Sequence, residues 1–159
     1  MKAILLAIQI AVLTCGCSAF AQDETRATEA EALKMIDDAL VHIKEVGTDT
    51  AFAEFNDRDN KRWQFKDLYI FCSKYDGMTD CHGANRALLG KNLYWMQTVD
   101  GQYFVKDSSD LVLKSGSGWL HYKRANPQTK QVEDKKVFVI AVPGYDGFIG
   151  TGIFTPLPK

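Results

Sequence analysis

The stretch from Ile70 to Gly83 reads IFCSKYDGMTDCHG and places two cysteines at equal distances from an Asp-Gly pair. Asp-Gly between two runs of strand-forming residues predicts a two-residue hairpin, because a type I′ turn needs positive φ at both central positions. With Asp76-Gly77 as the loop, Cys72 pairs with Cys81 at a non-hydrogen-bonded position, where the Cα atoms lie roughly 4.5 Å apart. A disulfide accepts this separation. The register therefore predicts a Cys72–Cys81 bridge if the chain reaches a compartment that oxidises thiols.

The first 21 residues indicate such a compartment. A basic start at Lys2 precedes an apolar run and an Ala-x-Ala pattern that ends at Ala21, which is typical of a secretory signal peptide spanning residues 1–21. An uncleaved anchor or a buried helix is one alternative, and lipidation at Cys17 or Cys15 is another. Cleavage after Ala21 predicts a periplasmic or secreted protein that keeps two cysteines. A cleaved protein would be held at a membrane only if it were lipidated.

The remaining segment, residues 22–159, has the length of one ordinary domain. Removal of the signal takes away one charge, Lys2, and leaves 18 basic against 20 acidic residues. Without a basic run or a basic patch interleaved with aromatic residues, we expect no nucleic-acid partner. We also expect no binding to an anionic membrane surface.

Helical periodicity predicts one long helix from Thr25 to Val46, ended by Gly47, and a short helix from Thr48 to Phe55 capped by Thr48. The expected buried stripe of the long helix comprises Leu33, Ile36, Leu40 and Ile43. The sequence from residue 88 to residue 99 is ambiguous. Short runs rich in β-branched and aromatic residues predict strands at 67–73, 78–83, 103–106, 119–124, 135–142 and 148–154. A long helix followed by antiparallel strands predicts an α+β fold with the helix on one sheet face.

Alternation along the first of these strands separates two faces. Leu68 and Ile70 share one face with Cys72, whereas Tyr69 and Phe71 point to the other. The hairpin register adds His82 to the Tyr69 face. A phenol, a ring and an imidazole on one surface suit a partly polar pocket. The alternative is that the two aromatic residues are simply core and His82 is exposed at the end of its strand.

Several motifs then follow in a recognisable order: DLYIF at 67–71, DG at 76–77, LGKNL at 89–93, DGQYF at 100–104, GWLHY at 118–122, KKVFV at 135–139 and GTGIF at 150–154. In this ordered set the chain resembles the single Cache domain of type 2, an extracytoplasmic sensor module of bacterial chemoreceptors and sensor kinases. The resemblance runs over almost all of residues 22–159. It implies a PAS-like fold, with a long N-terminal helix on one sheet face and a small ligand enclosed on the other.

The resemblance also implies a ligand class and a set of contacts. Family ligands are commonly short carboxylates such as acetate, propionate, pyruvate or lactate. Carried over by position, the ligand-binding candidates are Tyr69, His82, Trp119, Tyr122 and Lys135. Of these, Lys135 is expected at the rim of the pocket, where its ammonium would pair with the carboxylate.

Two departures from the family pattern stand out. The chain ends at Lys159 without the membrane helix and signalling domain of the receptors, so we expect any signal to pass to another protein, such as a membrane-bound one. Phe138 stands where the family usually carries a tyrosine, which removes one possible hydrogen-bonding hydroxyl.

Chemistry for catalysis is hard to find in the sequence. We recognise no nucleophile elbow, no phosphate-binding glycine loop and no metal-binding His-Glu-x-x-His, so we expect neither an enzyme nor a cofactor or metal. Two hypotheses from different classes remain. One is a binding module for a small organic acid, and the other is a structural or interaction protein that kept the Cache fold and lost its ligand.

Overall fold

The computed structural model describes residues 25–155, so the predicted signal peptide and both candidate lipidation cysteines lie outside the described residues. The first helix, α1, runs over Glu29–Val46. It begins four residues later than predicted because Thr28 and Glu31 form a capping box. Gly47 follows α1 with φ of +83°, a conformation that favours glycine.

The second helix, α2, spans Thr48–Phe55, as predicted. Its cap differs from the prediction, because Gly47 occupies the N-cap position and no side chain caps the helix. Within residues 25–155, no helix is long and apolar enough to cross a membrane.

The strand bounds are β1 Gln64–Phe65, β2 Leu68–Tyr69, β3 Phe71–Lys74, β4 Thr79–His82, β5 Ser117–Ala125, β6 Val132–Ala141 and β7 Gly147–Thr155. Five of these strands form one antiparallel sheet in the order β4-β3-β7-β6-β5, and a two-stranded ribbon of β1 and β2 precedes it. A 3-10 turn over Arg86–Leu88 ends at the first residue of the ambiguous region. The α+β class is confirmed, with β4 and β5 at the two edges of the sheet.

One predicted strand, residues 103–106, is wrong. Phe104 begins a third helix, α3, which spans Phe104–Ser115. The apolar pair Phe104-Val105 resembles a strand, and the helical repeat is continued by small polar residues, Ser108 and Ser109, that are buried like core residues. Each serine satisfies its hydroxyl on the carbonyl four residues earlier, at 2.7 and 3.0 Å, which makes its burial tolerable.

The predicted pairing of Cys72 with Cys81 is confirmed, and the two form a disulfide with a Cα–Cα distance of 4.7 Å. The loop between them is longer than expected. Lys74 donates to Met78 O, and positive φ occurs at Gly77, so the hairpin closes on a three-residue loop. A bulge at Asp80 then restores the register, because Ser73 pairs with Thr79 while Cys72 pairs with Cys81.

The sheet carries a different layer on each face. The helix face packs Leu68, Ile70 and Cys72 against α1 and α2, whereas the cavity face carries Tyr69 and Phe71 beneath α3. The predicted separation of faces is therefore confirmed. The buried stripe of α1 is rotated from the expected one: its buried residues are Ala32, Met35, Ile36, Ala39, His42 and Ile43, and Leu33 is 36% exposed.

Candidate functional site

A cavity of about 40 Å³ lies on the cavity face, between the sheet, α3 and the segment that precedes α3. A volume of this size holds roughly three water molecules, or an organic acid of comparable size. The lining residues come from β2 to β5, from α3 and from the preceding segment: Tyr69, Phe71, Cys72, Ser73, Thr79, His82, Leu93, Met96, Thr98, Phe104, Val105, Tyr122 and Arg124.

The hairpin positions His82 beside the two aromatic residues of the cavity face. Phe71 pairs with His82 across β3 and β4, and the rings of Tyr69 and His82 lie 5.1 Å apart between centroids. His82 is 5% exposed, and its backbone N–H donates to Asn56 Oδ1 at 2.8 Å. The expected grouping of Tyr69, Phe71 and His82 is therefore present.

A backbone hydrogen bond fixes the tautomer of His82. The N–H of Asn85 donates to His82 Nδ1 at 3.1 Å, so Nδ1 has no proton. Burial, reinforced by the neighbouring cations Arg124 and Lys135, lowers the pKa of His82 to about 3. The ring is therefore neutral at pH 7 and carries its one proton on Nε2.

Arg124 lies directly beside the Nε2 proton of His82. Its Nη2 lies 3.4 Å from His82 Nε2, so an N–H of the guanidinium faces the N–H of the imidazole. Two donors cannot form a hydrogen bond with each other, and both remain available to an acceptor. Arg124 is half-buried in the cavity wall, where its charge is weakly screened.

Two tyrosines supply further donors. Tyr122 is 4% exposed, its ring lies 4.2 Å from that of Phe104, and its hydroxyl interacts with Arg124. Tyr69 Oη accepts a hydrogen bond from Lys135 Nζ at 2.6 Å, which leaves the Tyr69 proton free to donate. Burial raises the pKa of both phenols, so both keep that proton at neutral pH.

Lys135 is placed differently from the sequence prediction. It is 1% exposed rather than at a rim, and its ammonium lies 4.1 Å from the ring centroid of Tyr69 and 4.5 Å from that of Phe154. Burial, and then the charge of Arg124, lowers its pKa well below the usual range. It contacts Tyr69 and lies outside the cavity lining, so the prediction that it pairs directly with a ligand at the rim needs correction.

Trp119 also needs correction. It lies on the helix face, packs with Phe138 at a centroid distance of 5.2 Å and does not line the cavity. The reason is geometric: residues three apart in a strand point to opposite faces, so Trp119 and Tyr122 cannot reach one pocket. The same alternation could have identified Arg124, which is two residues from Tyr122 and shares its face.

The sequence did not predict that the segment before α3 contributes to the cavity lining. Leu93, Met96 and Thr98 line the cavity from a region of turns that has no repeating pattern in the sequence. Together, the described lining residues include one cation, one neutral imidazole donor and several hydroxyls, but no aspartate or glutamate. A cavity of this composition suits an anion that has a short apolar part.

Comparison with known proteins identifies the fold. Residues 58–155, more than half of the chain, match the family model described as a Cache domain. The chain belongs to the Cache domain family. This agrees with the ordered motifs, and Cache domains are extracytoplasmic ligand-binding sensor domains rather than catalytic ones.

Three similar proteins place the match in context. The sensor histidine kinase MctS of Rhizobium johnstonii is 30% identical over 89 residues, which are 56% of this chain and 19% of that protein. The chain thus spans about a fifth of that relative's length. A solved methyl-accepting chemotaxis protein of Vibrio parahaemolyticus is 22% identical, with a TM-score of 0.66 over 79% of this chain and 86% of its own.

The third similar protein is a solved Cache chemosensory domain, described for its recognition of carboxylic acids. It has a TM-score of 0.66 and 15% identity, over 79% of this chain and 92% of its own. At these identities, the two solved structures show a shared fold.

Proposed function

We propose that this Cache domain binds a small organic carboxylate in the cavity. The observation that carries the proposal is the meeting of two hydrogen-bond donors, Arg124 Nη2 and His82 Nε2, 3.4 Å apart. A carboxylate oxygen within reach of both would satisfy both, and it would replace the water that each loses on burial. The similar fold of a Cache domain that recognises carboxylic acids supports the same ligand class.

The roles of the other residues follow from their contacts. Arg124 takes the role of charge partner that the sequence assigned to Lys135. The hydroxyls of Tyr69 and Tyr122 donate to the second carboxylate oxygen, and the aromatic wall encloses the short apolar tail. Lys135 acts through Tyr69, because its hydrogen bond to Tyr69 Oη orients the phenol so that its proton points away from the ammonium. Trp119 has no part in this site.

The same proposal includes the setting in which the domain works. We infer a periplasmic or secreted protein, released by cleavage after Ala21, in which the Cys72–Cys81 disulfide forms on export. A membrane-bound signalling protein would detect the occupied state. The sensor kinase and chemotaxis proteins among the similar proteins support a signalling partner of this kind.

An interaction protein that kept the fold and lost its ligand is the second candidate. A Cache domain without a ligand would be expected to fill its cavity with side chains. The open space between Tyr69, Tyr122 and Arg124 favours binding over that alternative. The lining residues offer donors for recognition, and we infer binding without catalysis.

Isothermal titration calorimetry tests the proposal. Acetate, propionate, pyruvate and lactate are titrated into the wild type, Arg124→Met and a control variant, Arg58→Met, whose side chain is exposed and outside the cavity lining. Charge-assisted hydrogen bonds contribute about 1.5–3 kcal/mol, so we expect Arg124→Met to bind the best acid about 10- to 100-fold more weakly. Arg58→Met should bind that acid like the wild type.

Two results would contradict this proposal. One is that the folded wild type binds none of these acids, which would favour the interaction protein. The other is that Arg124→Met binds as tightly as the wild type while its thermal unfolding remains cooperative. Acetamide and propionamide, which match two of the acids in size and lack the negative charge, should bind weakly.

A further inference from the structure

Residues 92–103, here called the strap, cross the cavity face from one edge of the sheet to the other. At the β3–β4 hairpin, Leu93 N donates to Gly77 O at 2.9 Å and Asn92 Nδ2 donates to Asp76 O at 2.9 Å. At the opposite edge, the Lys123 N–H of β5 donates to Asp100 Oδ2 at 3.1 Å. The strap is therefore anchored on both sides of the cavity.

The strap has an inner and an outer surface. Leu93, Met96 and Thr98 line the cavity, whereas Trp95 and Val99 are each 66% exposed. Met96 belongs to both surfaces, because it lines the cavity and is also 43% exposed. It therefore stands between the cavity and solvent.

The cavity wall opposite the strap is more tightly packed and is harder for a ligand to displace. Phe104 contacts Phe71 and Tyr122, with centroid distances of 5.8 and 4.2 Å, so the three rings support one another. Phe71 is also held in the sheet by pairing with β4 and β7. Close-packed aromatic residues of this kind resist displacement, whereas an unbranched methionine changes rotamer easily. A ligand longer than the cavity must therefore displace Met96.

We propose that Met96 is the specificity-determining residue of the site and limits its ligands to acids of about two or three carbons, as the cavity volume indicates. This inference rests on the proposed carboxylate function and goes beyond it by assigning a size limit. The carboxylate is held at Arg124 and His82, and the alkyl end of the acid meets Met96. Each further methylene competes with the methionine side chain for the same space.

The test is a series of straight-chain acids, from acetate to hexanoate, titrated into the wild type, Met96→Ala and Val99→Ala. Val99 is the matched control because it lies on the same strap and faces solvent. The wild type should prefer propionate to hexanoate by at least about 10-fold. Met96→Ala should reduce that preference at least about 10-fold, mainly by binding hexanoate more tightly. Val99→Ala should keep the wild-type profile.

The outcomes separate this inference from the proposed function. If the wild type binds short and long acids equally, or if Met96→Ala keeps the wild-type preference, the size limit is wrong while carboxylate binding stands. If the folded wild type binds no acid in the series, both proposals fail. Thermal unfolding without ligand confirms that each variant is folded, and a substitution on an exposed strap is expected to leave the core intact.

Discussion

The two faces of the sheet bury side chains of very different chemistry. The helix face is filled with aliphatic and aromatic side chains from α1 and α2. The cavity face carries a buried ammonium, a half-buried guanidinium and a neutral imidazole around an open space. Burial of apolar groups stabilises a fold, whereas burial of charges without counter-ions opposes it. Truncation of a buried apolar side chain on the helix face and removal of the buried charge on the cavity face should therefore change stability in opposite directions.

The largest effect is expected on the helix face, at Ile36. This residue is 1% exposed in α1, and truncation to alanine leaves a cavity that the packed sheet cannot close. Ile36→Ala should lower the free energy of unfolding by about 2–5 kcal/mol in urea denaturation. Ligand affinity, measured where the variant is fully folded, should stay within about twofold of wild type.

Leu33→Ala provides the control on the same helix. Because Leu33 is 36% exposed, this substitution should lower the free energy of unfolding much less. Equal losses in the free energy of unfolding at both positions would show that α1 does not have one buried face and one exposed face. A large change in ligand affinity in Ile36→Ala would show that the two faces are not independent.

Sequence patterns predicted the helix face and the hairpin better than the remainder of the molecule. The Cys72–Cys81 pairing came out right although the loop was predicted too short. The extra loop residue shifts the register by one, and the bulge at Asp80 shifts it back. A symmetric spacing of cysteines therefore predicted the bridge without predicting the turn.

The errors come from interactions that periodicity does not describe. The sequence did not predict α3, because polar serines occupy buried positions of its helical repeat. Their hydroxyls donate to carbonyls of the same helix, which makes this burial tolerable. The strap has no regular structure, so its contribution to the cavity depends on tertiary hydrogen bonds such as that of Asp100 with Lys123. Lys135 was expected at the rim of the pocket, because the sequence alone does not show that Tyr69 and Phe154 enclose its ammonium.

The next effect is expected on the cavity face, at Lys135. Because its folded pKa is lowered below the usual value of 10.5, the unfolded state binds the proton more readily, and this disfavours folding at neutral pH. Replacement by methionine keeps much of the volume and removes the charge. Lys135→Met should raise the free energy of unfolding by about 1–2 kcal/mol at pH 7 without ligand.

This gain should shrink as pH rises toward 10.5, where the unfolded lysine also loses its proton. The matched control is Lys136→Met, since the neighbouring side chain points to the other face and pairs with Glu29 near the surface at 2.5 Å. Lys136→Met should change the free energy of unfolding by no more than about 1 kcal/mol. A Lys135→Met protein less stable than wild type at pH 7 would show that the buried ammonium is stabilising and would refute the contrast between faces.

The smallest effect is a pH dependence due to His82. Burial, together with Arg124 and Lys135, lowers the folded pKa to about 3, while the unfolded imidazole titrates near 6.5. Below pH 6.5 the unfolded state therefore binds a proton that the folded state does not, so this contribution to stability is lost as pH falls toward 3. Between pH 6.5 and about 5.5, this linkage should lower the free energy of unfolding by about 1 kcal/mol.

Comparison of urea unfolding in wild type and His82→Gln at several pH values isolates this contribution, because other groups titrate equally in both proteins. A suitable control is His121→Gln, which changes an exposed histidine of β5. The range above pH 4.5 also avoids most of the titration of Glu133, whose pKa is lowered to about 2 chiefly by its hydrogen bond with Arg26. If wild type and His82→Gln lose stability in parallel from pH 6.5 downward, His82 is protonated in the folded protein. The neutral Nε2–H donor beside Arg124 would then be the wrong description of the site.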